Sequence, residues 1–443
     1  METRKILIRL LLFATVFTAQ LGFTGRKETT VSLKTVLTNC NVIDCTGNKP
    51  MKNMTVVITG NTITEIKRGS YTISADEENV RIFDLEGAYV LPGLWNVHVH
   101  LADLLPDPNH ILDGEPLSEA VIRAGMNAMD GLRRGFTVLR TVGERDYLDV
   151  TWRNTFRRGI FVGPRIFASG NPIAVTGGHG GSLSIQADGP NEIRKAVREN
   201  LKHRVNWIKI METEMTPDEI KAAVETAHQR RRRVCAHSGE PTSRISVLNG
   251  VDCLEHGYRL TDETIQLMAE KNVFYVPTII CNLSDEYIKE REKRLAELGF
   301  GTDEEVVKGR TLVAYADERS PEMALYQRRV LQKAIKAGVK VCTGSDSNPV
   351  GEIGILEIEQ FVLSGVGEMD ALIAATRNCA DLCGVLDKLG TVEEGKLADL
   401  IVVAENPLEN ISNLRKLKMV FKDGKEVNLT PPEGEMSYWK FYF

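Results

Sequence analysis

Apolar and polar positions alternate in short β-branched runs soon after residue 30. TVLTNCNVIDCTG and MTVVITGNTITEIKRG both read as strands, the second folding back at Gly60-Asn61. The same pattern returns near the other end in GTVEEGKLADLIVV and in LKMVFKDGKEV, where Asp423-Gly424 makes a second hairpin turn. Strands at both ends of a long mixed segment predict one small β-sandwich built from both termini, residues 26–88 and 389–430. A central domain of residues 89–388 and a tail of residues 431–443 complete the expected layout.

Within the central segment the period changes. FTVLRTVG, PRIFASG, NWIKIM, RRVCAHS, VDCLEHG, VFYVPTI and VKVCTGSD are brief apolar runs, each followed by a turn and a helical pattern. One helix start is explicit: Thr216 caps, Pro217 takes the first helical position and Glu219 closes a capping box. Strand–helix alternation requires a parallel sheet. With the run that ends at His100 there are eight such strands, so the economical solution is an α/β fold of the distorted (β/α)8 TIM barrel type. Residues 284–337 are too long for a simple crossover and read as a charged helical insertion.

Composition narrows the functional classes. In 443 residues, 42% are hydrophobic and 26% charged, which is ordinary globular usage and excludes a polytopic membrane protein. The net charge is −5, and no basic stripe with interleaved aromatics points to nucleic acid. The run Arg230 to Arg233 reads as cations at a helix C-terminus rather than a polyanion site. A basic start followed by an uncharged stretch from Leu10 to Phe23 predicts a signal peptide over residues 1–25, hence export, with an uncleaved anchor as the alternative. Sequons begin at Asn53, Asn282, Asn410 and Asn428. Eight scattered cysteines do not make a disulfide scaffold, and the proximity of Cys40 and Cys45 does not establish a bridge.

The chemistry is carried by where ligand-type residues fall. Of eight histidines, His98, His100, His237 and His256 close predicted strands, the end of a barrel where active sites are built. His203 and His228 belong to helix surfaces and His110 to a loop. At a spacing of two, His98 and His100 point to the same side of a strand. Lys209 and Asp346 end two further strands. Imidazole with carboxylate suits zinc and its divalent neighbours. A bare ammonium facing into a barrel is costly to bury. Lys209 therefore either pairs with a carboxylate or reacts with CO2 to form a carbamate, an anionic bridge for two metals about 3.5–4 Å apart.

LPGLWNVHVH, WIKI, AHSG, VDCLEHG, TGSDS and GTVEEGKLADLIVV together resemble the amidohydrolase superfamily along nearly the whole chain after the leader. GPRIFASG, Lys209 and Thr176-Gly177-Gly178-His179-Gly180 resemble its imidazolonepropionase-related branch, which includes Xaa-Pro dipeptidases and carboxypeptidase-like hydrolases. The resemblance implies two divalent ions, zinc by default. His98, His100 and Asp346 would hold the inner ion, His237 and His256 the outer, and carbamylated Lys209 would bridge them. It further implies a metal-bridging hydroxide attacking an amide carbonyl, Asp346 as acid–base, His179 at the oxyanion and Tyr258 orienting the substrate. Two departures stand near the site: Asn96 and Thr141 occupy positions where the family usually has Asp.

The expected substrate is a small amide, a dipeptide or N-acyl amino acid cleaved at its C–N bond. A cyclic-amide hydrolase is the alternative, and a non-catalytic barrel scaffold the remote one. A homo-oligomer is compatible with the sequence.

Overall fold

The structure, a computed structural model, describes residues 33–74, 77, 79–102, 116–180, 183–283 and 320–430. The expected leader, the aromatic tail, His110 and most of the predicted insertion lie outside these residues. Five strands come first: β1 (Lys34–Val42), β2 (Met51–Thr59), β3 (Thr62–Arg68), β4 (Val80–Asp84) and β5 (Tyr89–Pro92). Then follow β6 (Leu94–Val99), β7 (Phe136–Thr141), β8 (Arg165–Phe167), β9 (Ile173–Ala174), β10 (Ile185–Gln186), β11 (Trp207–Met211), β12 (Arg233–Gly239), β13 (Cys253–Tyr258) and β14 (Phe274–Val276). The last three are β15 (Leu400–Val403), β16 (Leu417–Lys422) and β17 (Lys425–Glu426).

Both chain ends do meet in one sheet. Its order is β17-β16-β15-β5-β1-β2-β3, with β4 beside β1, and the antiparallel β5–β15 pair, Leu91 opposite Ile401, joins the halves. All eight strands share one hydrogen-bonded sheet, so the facing layers of a sandwich are not separated in it. The sheet bends far enough for Thr62 to bridge Leu397, and Leu37, Val56, Val90, Leu400 and Phe421 share one buried cluster. Asp423 and Gly424 both have positive φ, as the tight hairpin anticipated from the sequence requires. A Cβ on Gly424 would lie 2.1 Å from the Gly60 carbonyl oxygen, so glycine lets the two hairpin turns touch.

The central segment is TIM-barrel-like α/β, with parallel strands and intervening helices such as α1 (Leu117–Arg133), α2 (Leu148–Arg157), α3 (Gly189–Lys202) and α4 (Pro217–His228). Helix α4 begins where the capping box placed it, with the Thr216 N–H donating to Glu219 at 2.7 Å. The expected eight-stranded closed barrel is replaced, among the described residues, by two parallel sheets: β6-β7-β8 and β10-β9-β11-β12-β13-β14. Scattered hydrogen bonds span the joins. Asn206 N donates to Ala168 O on one side. On the other, the predicted strand VKVCTGSD makes only the Tyr275–Val341 bridge. That segment still lies between β14 and β6, because Cys342 N donates to Tyr275 O and Val97 N to Thr343 O.

Gly344 explains the irregularity. A Cβ there would sit 2.5 Å from the His98 Cβ and 2.9 Å from the His98 backbone nitrogen. No ordinary strand residue fits against β6 so closely. A buried cluster containing Trp95, Val97, Trp207, Cys235, Cys253 and Phe274 fills the interior beneath the strand ends. Inward residues of a barrel stack in layers. Two residues after Trp207, Cys235 and Cys253 come Lys209, His237 and Glu255, which form the next layer and open the site.

Candidate active site

Strand β6, with the residue that follows it, supplies two imidazoles. Its pairing register slips between Asn96 and Val99, so His98 joins Val97 in facing the interior. His98 Nδ1 lies 2.8 Å from Glu255 Oε2, and its Nε2 lies 3.4 Å from Asp346 Oδ1. His100 Nδ1 lies 2.8 Å from the Gly143 carbonyl, and its Nε2 lies 3.2 Å from the same Asp346 oxygen. Carbonyls and ionised carboxylates only accept, so both Nδ1 atoms donate and Nε2 is the ring atom each histidine turns toward Asp346.

His256 arrives by an unusual route. Strand parity would place it opposite Glu255, yet its φ of 64° swings the ring inward, 4.7 Å from the His98 ring and 4.4 Å from that of His237. A non-glycine residue held there costs about 1–3 kcal/mol, a strain typical of functional positions. The Thr278 hydroxyl donates to Pro277 O at 2.7 Å, so it accepts from His256 Nδ1 at 2.6 Å. Burial, reinforced by His237 and His98, holds His256 well below the usual histidine range. Its ring is neutral, with Nε2 available as a ligand.

Asp346 also has a left-handed backbone, φ 48°. Its N–H donates to His98 O at 2.9 Å, and its Oδ2 accepts from the Cys281 thiol at 3.2 Å. Ligand atoms of His98, His256 and Asp346 all lie within 4.8 Å of one another. Lys209, on β11, is 1% exposed, and its Nζ has no hydrogen-bond partner. Of the two sequence readings of Lys209, pairing with a carboxylate is therefore not what the structure has. The lone pair of the neutral His256 ring, crowded against the Asp346 carboxylate, is repelled by it unless a cation lies between them. An unpaired buried amine is equally costly until modified or ligated. The donor set fits divalent cations on these two grounds.

The remaining candidates line the same mouth. The His179 ring stacks on His237 at 4.2 Å. Tyr258, 4% exposed, lies parallel to His256 with ring centroids 5.2 Å apart. His203 and His228 stay outside: the first stacks on Tyr147, the second meets Asp252 at 2.8 Å. All eight cysteines are free thiols, Cys40 and Cys45 included.

Sequence reasoning missed Glu255 and Arg140. Both are fully buried and 2.6 Å apart. Burial alone would raise the Glu255 pKa, but Arg140 and His98 overcome it and bring it down to about 2. The only signal was a glutamate directly before His256 in CLEHG, two residues after the inward-facing Cys253. Glu212, after β11, is a second buried acid. Both its oxygens lack partners, and burial pushes its pKa well above the usual range. The two departures have local roles. Asn96 Oδ1 accepts from Ser345 N at 3.1 Å and its amide donates to Ser345 Oγ at 2.7 Å, bracing the segment that carries Asp346. Thr141 donates to Asp149 at 2.7 Å, and Asp149 also accepts from the backbone of Ser169 and Gly170, fixing the turn after β8.

The Amidohydrolase family model matches residues 89–427, most of the chain. The chain belongs to the amidohydrolase family. It is a hydrolase acting on amide C–N bonds, in a family that is generally metal-dependent. Ochratoxinase of Aspergillus niger is 28% identical over 384 residues, spanning 76% of this chain and 75% of that protein. A Xaa-Pro dipeptidase structure with methionine bound in its active site is 30% identical. It covers 89% of this chain and 99% of its own, with a TM-score of 0.76. A prolidase complexed with N-methylphosphonate-L-proline is 28% identical, with the same coverages and a TM-score of 0.73. No helix among the described residues is long and apolar enough to cross a membrane.

Proposed function

We propose that this amidohydrolase is a binuclear enzyme that cleaves the amide bond before a C-terminal amino acid, in dipeptides or N-acyl amino acids. The observation that carries the reading is the buried, partnerless Lys209 amine beside four converging imidazoles and Asp346. Its similarity to dipeptidase, prolidase and ochratoxinase proteins supports the substrate class. His98, His100 and Asp346 would hold one divalent cation, His237 and His256 a second, and Lys209 as a carbamate would be shared. That carbamate forms when the neutral amine attacks CO2 and releases a proton. When bound, such cations supply an acidified water and polarisation of the amide carbonyl.

The chain's own groups supply the rest. Asp346 takes the attacking water's proton and passes it to the leaving amine. The Cys281 thiol and the His98 backbone hold its carboxyl and its N–H in place. His179, stacked on His237, donates to the developing oxyanion. Tyr258 orients the substrate's carbonyl or carboxylate. The test is a panel of Xaa-Pro and other dipeptides, N-acyl amino acids and hydantoin-type rings. Turnover of the open-chain substrates is expected, and ring opening without dipeptide hydrolysis would overturn the assignment. The apolar leader supports export of the enzyme. N-terminal sequencing of secreted protein should begin beyond residue 19, and retention of Met1 on a soluble cytoplasmic enzyme would contradict this.

A further inference from the structure

The parallel strands have a second end. The imidazoles stand where β12 and β13 finish, whereas a cavity of about 560 Å³ opens where β8, β11 and β12 begin. Strands rise about 3.3 Å per residue, so a five-residue strand separates the two by roughly 15 Å. The volume suits a small ligand, since such sites run about 300–1,000 Å³.

Its lining is strongly one-sided. Six arginines, Lys422 and His203 face a single carboxylate, Asp423, in a chain whose net charge is −5. The cations come from five segments: the end of α2, the start of β8, the α3–β11 turn, the α4–β12 turn and the β16–β17 hairpin. Arg165 and Lys422 already share Asp423 and Asp399. Arg165 nevertheless leaves its buried Nε without a partner. Arg153 is held by neutral acceptors, the Arg204 carbonyl and Asn206 Oδ1, each at 2.8 Å, and Arg232 by the Val205 carbonyl at 2.8 Å. Burial draws Arg153 below the usual arginine range, and the charges of Arg157 and Arg232 add to this against the pull of Asp149. These are like charges gathered around an open volume, with Phe156 and Phe167 as apolar wall.

We propose that this cavity is a second binding site, for a small soluble ligand carrying two or more phosphate groups. Guanidinium forks match phosphate oxygens two at a time, which makes arginine the residue of choice for this chemistry. The ligand would neutralise charges that the protein leaves unpaired. The site is separate from the amide-cleaving mouth, so it adds to the proposed function rather than resting on it. A lipid surface is the rival occupant, because Ile160, Phe161 and Val162 are exposed beside it.

Calorimetric titration of the full metal-loaded enzyme with pyrophosphate, with ATP and with phosphatidylserine vesicles tests the proposal. Pyrophosphate or ATP should bind with a Kd below about 100 μM. Affinity should fall at least about tenfold in the double variant Arg157→Glu, Arg204→Glu, both exposed positions, with amide hydrolysis retained. Equal affinity in that variant would locate the phosphate at the metals and overturn the proposal. So would the absence of saturable binding to either phosphate compound. Binding to vesicles alone, lost in Phe161→Ser, would also overturn it in favour of the lipid.

Discussion

Replacing Glu255 by Gln separates a structural debt from a chemical one. Glu255 and Arg140 are 0% exposed and 2.6 Å apart, and the other carboxylate oxygen holds His98 Nδ1 at 2.8 Å. A glutamine presents one acceptor and one amide donor, so it satisfies Arg140 or His98 but not both. Leaving Arg140 buried without its counter-charge costs about 3–5 kcal/mol. Freeing the His98 tautomer should weaken metal binding by about 10–100-fold. Urea unfolding of the apo-protein reads the first effect and zinc titration of folded protein reads the second. Adding Arg140→Met should recover part of the stability, since removing both charges is cheaper than removing one, without restoring zinc affinity. A Glu255→Gln variant within about 1 kcal/mol of the parent, with unchanged zinc affinity, would mean that neither Arg140 nor His98 depends on this carboxylate.

Other substitutions probe separate links. Gly344→Ala forces a methyl against the His98 backbone. It should cost about 1–3 kcal/mol in urea melts and lower kcat by displacing Asp346. Asp346→Asn should reduce kcat by about 10²–10⁴-fold while far-UV circular dichroism stays unchanged. Glu357 accepts from the backbone of Ile279 and Ile280 beneath Cys281, and burial raises its pKa to about 8. The folded state then binds this proton more tightly than the unfolded chain. Its contribution is full below about pH 4.5 and is lost as pH rises through about 8, at up to about 1.4 kcal/mol per pH unit. Glu357→Gln should flatten that slope in urea melts run from pH 5 to 8, and an unchanged slope would contradict the assignment.

Much of the site was legible because apolar runs ended in ligand-type residues. His98 and His100 show their common direction in the spacing alone, and Lys209 and His237 follow the inward parity of Trp207 and Cys235. The hidden parts break those rules. His256 and Asp346 enter through left-handed backbone, which no alternation pattern predicts, and Glu255 was masked by that exception. The eighth barrel segment reads as a strand, yet the close approach at Gly344 leaves it a single bridge. Asn96 is a departure whose local role was hidden, because its partner Ser345 lies 249 positions away. The basic cavity draws on five separated segments, and the run at Arg230 to Arg233, read as helix C-terminal cations, contributes only Arg232 to it.

In the proposed function Lys209, the four imidazoles and Asp346 gather around a pair of cations. Mass-spectrometric metal analysis of protein reconstituted with zinc and bicarbonate measures this directly. About two equivalents per chain are predicted for the parent, dropping to one or fewer in Lys209→Met. Fewer than one equivalent in the parent, or an unchanged two in Lys209→Met, would mean that no pair of cations is shared through Lys209.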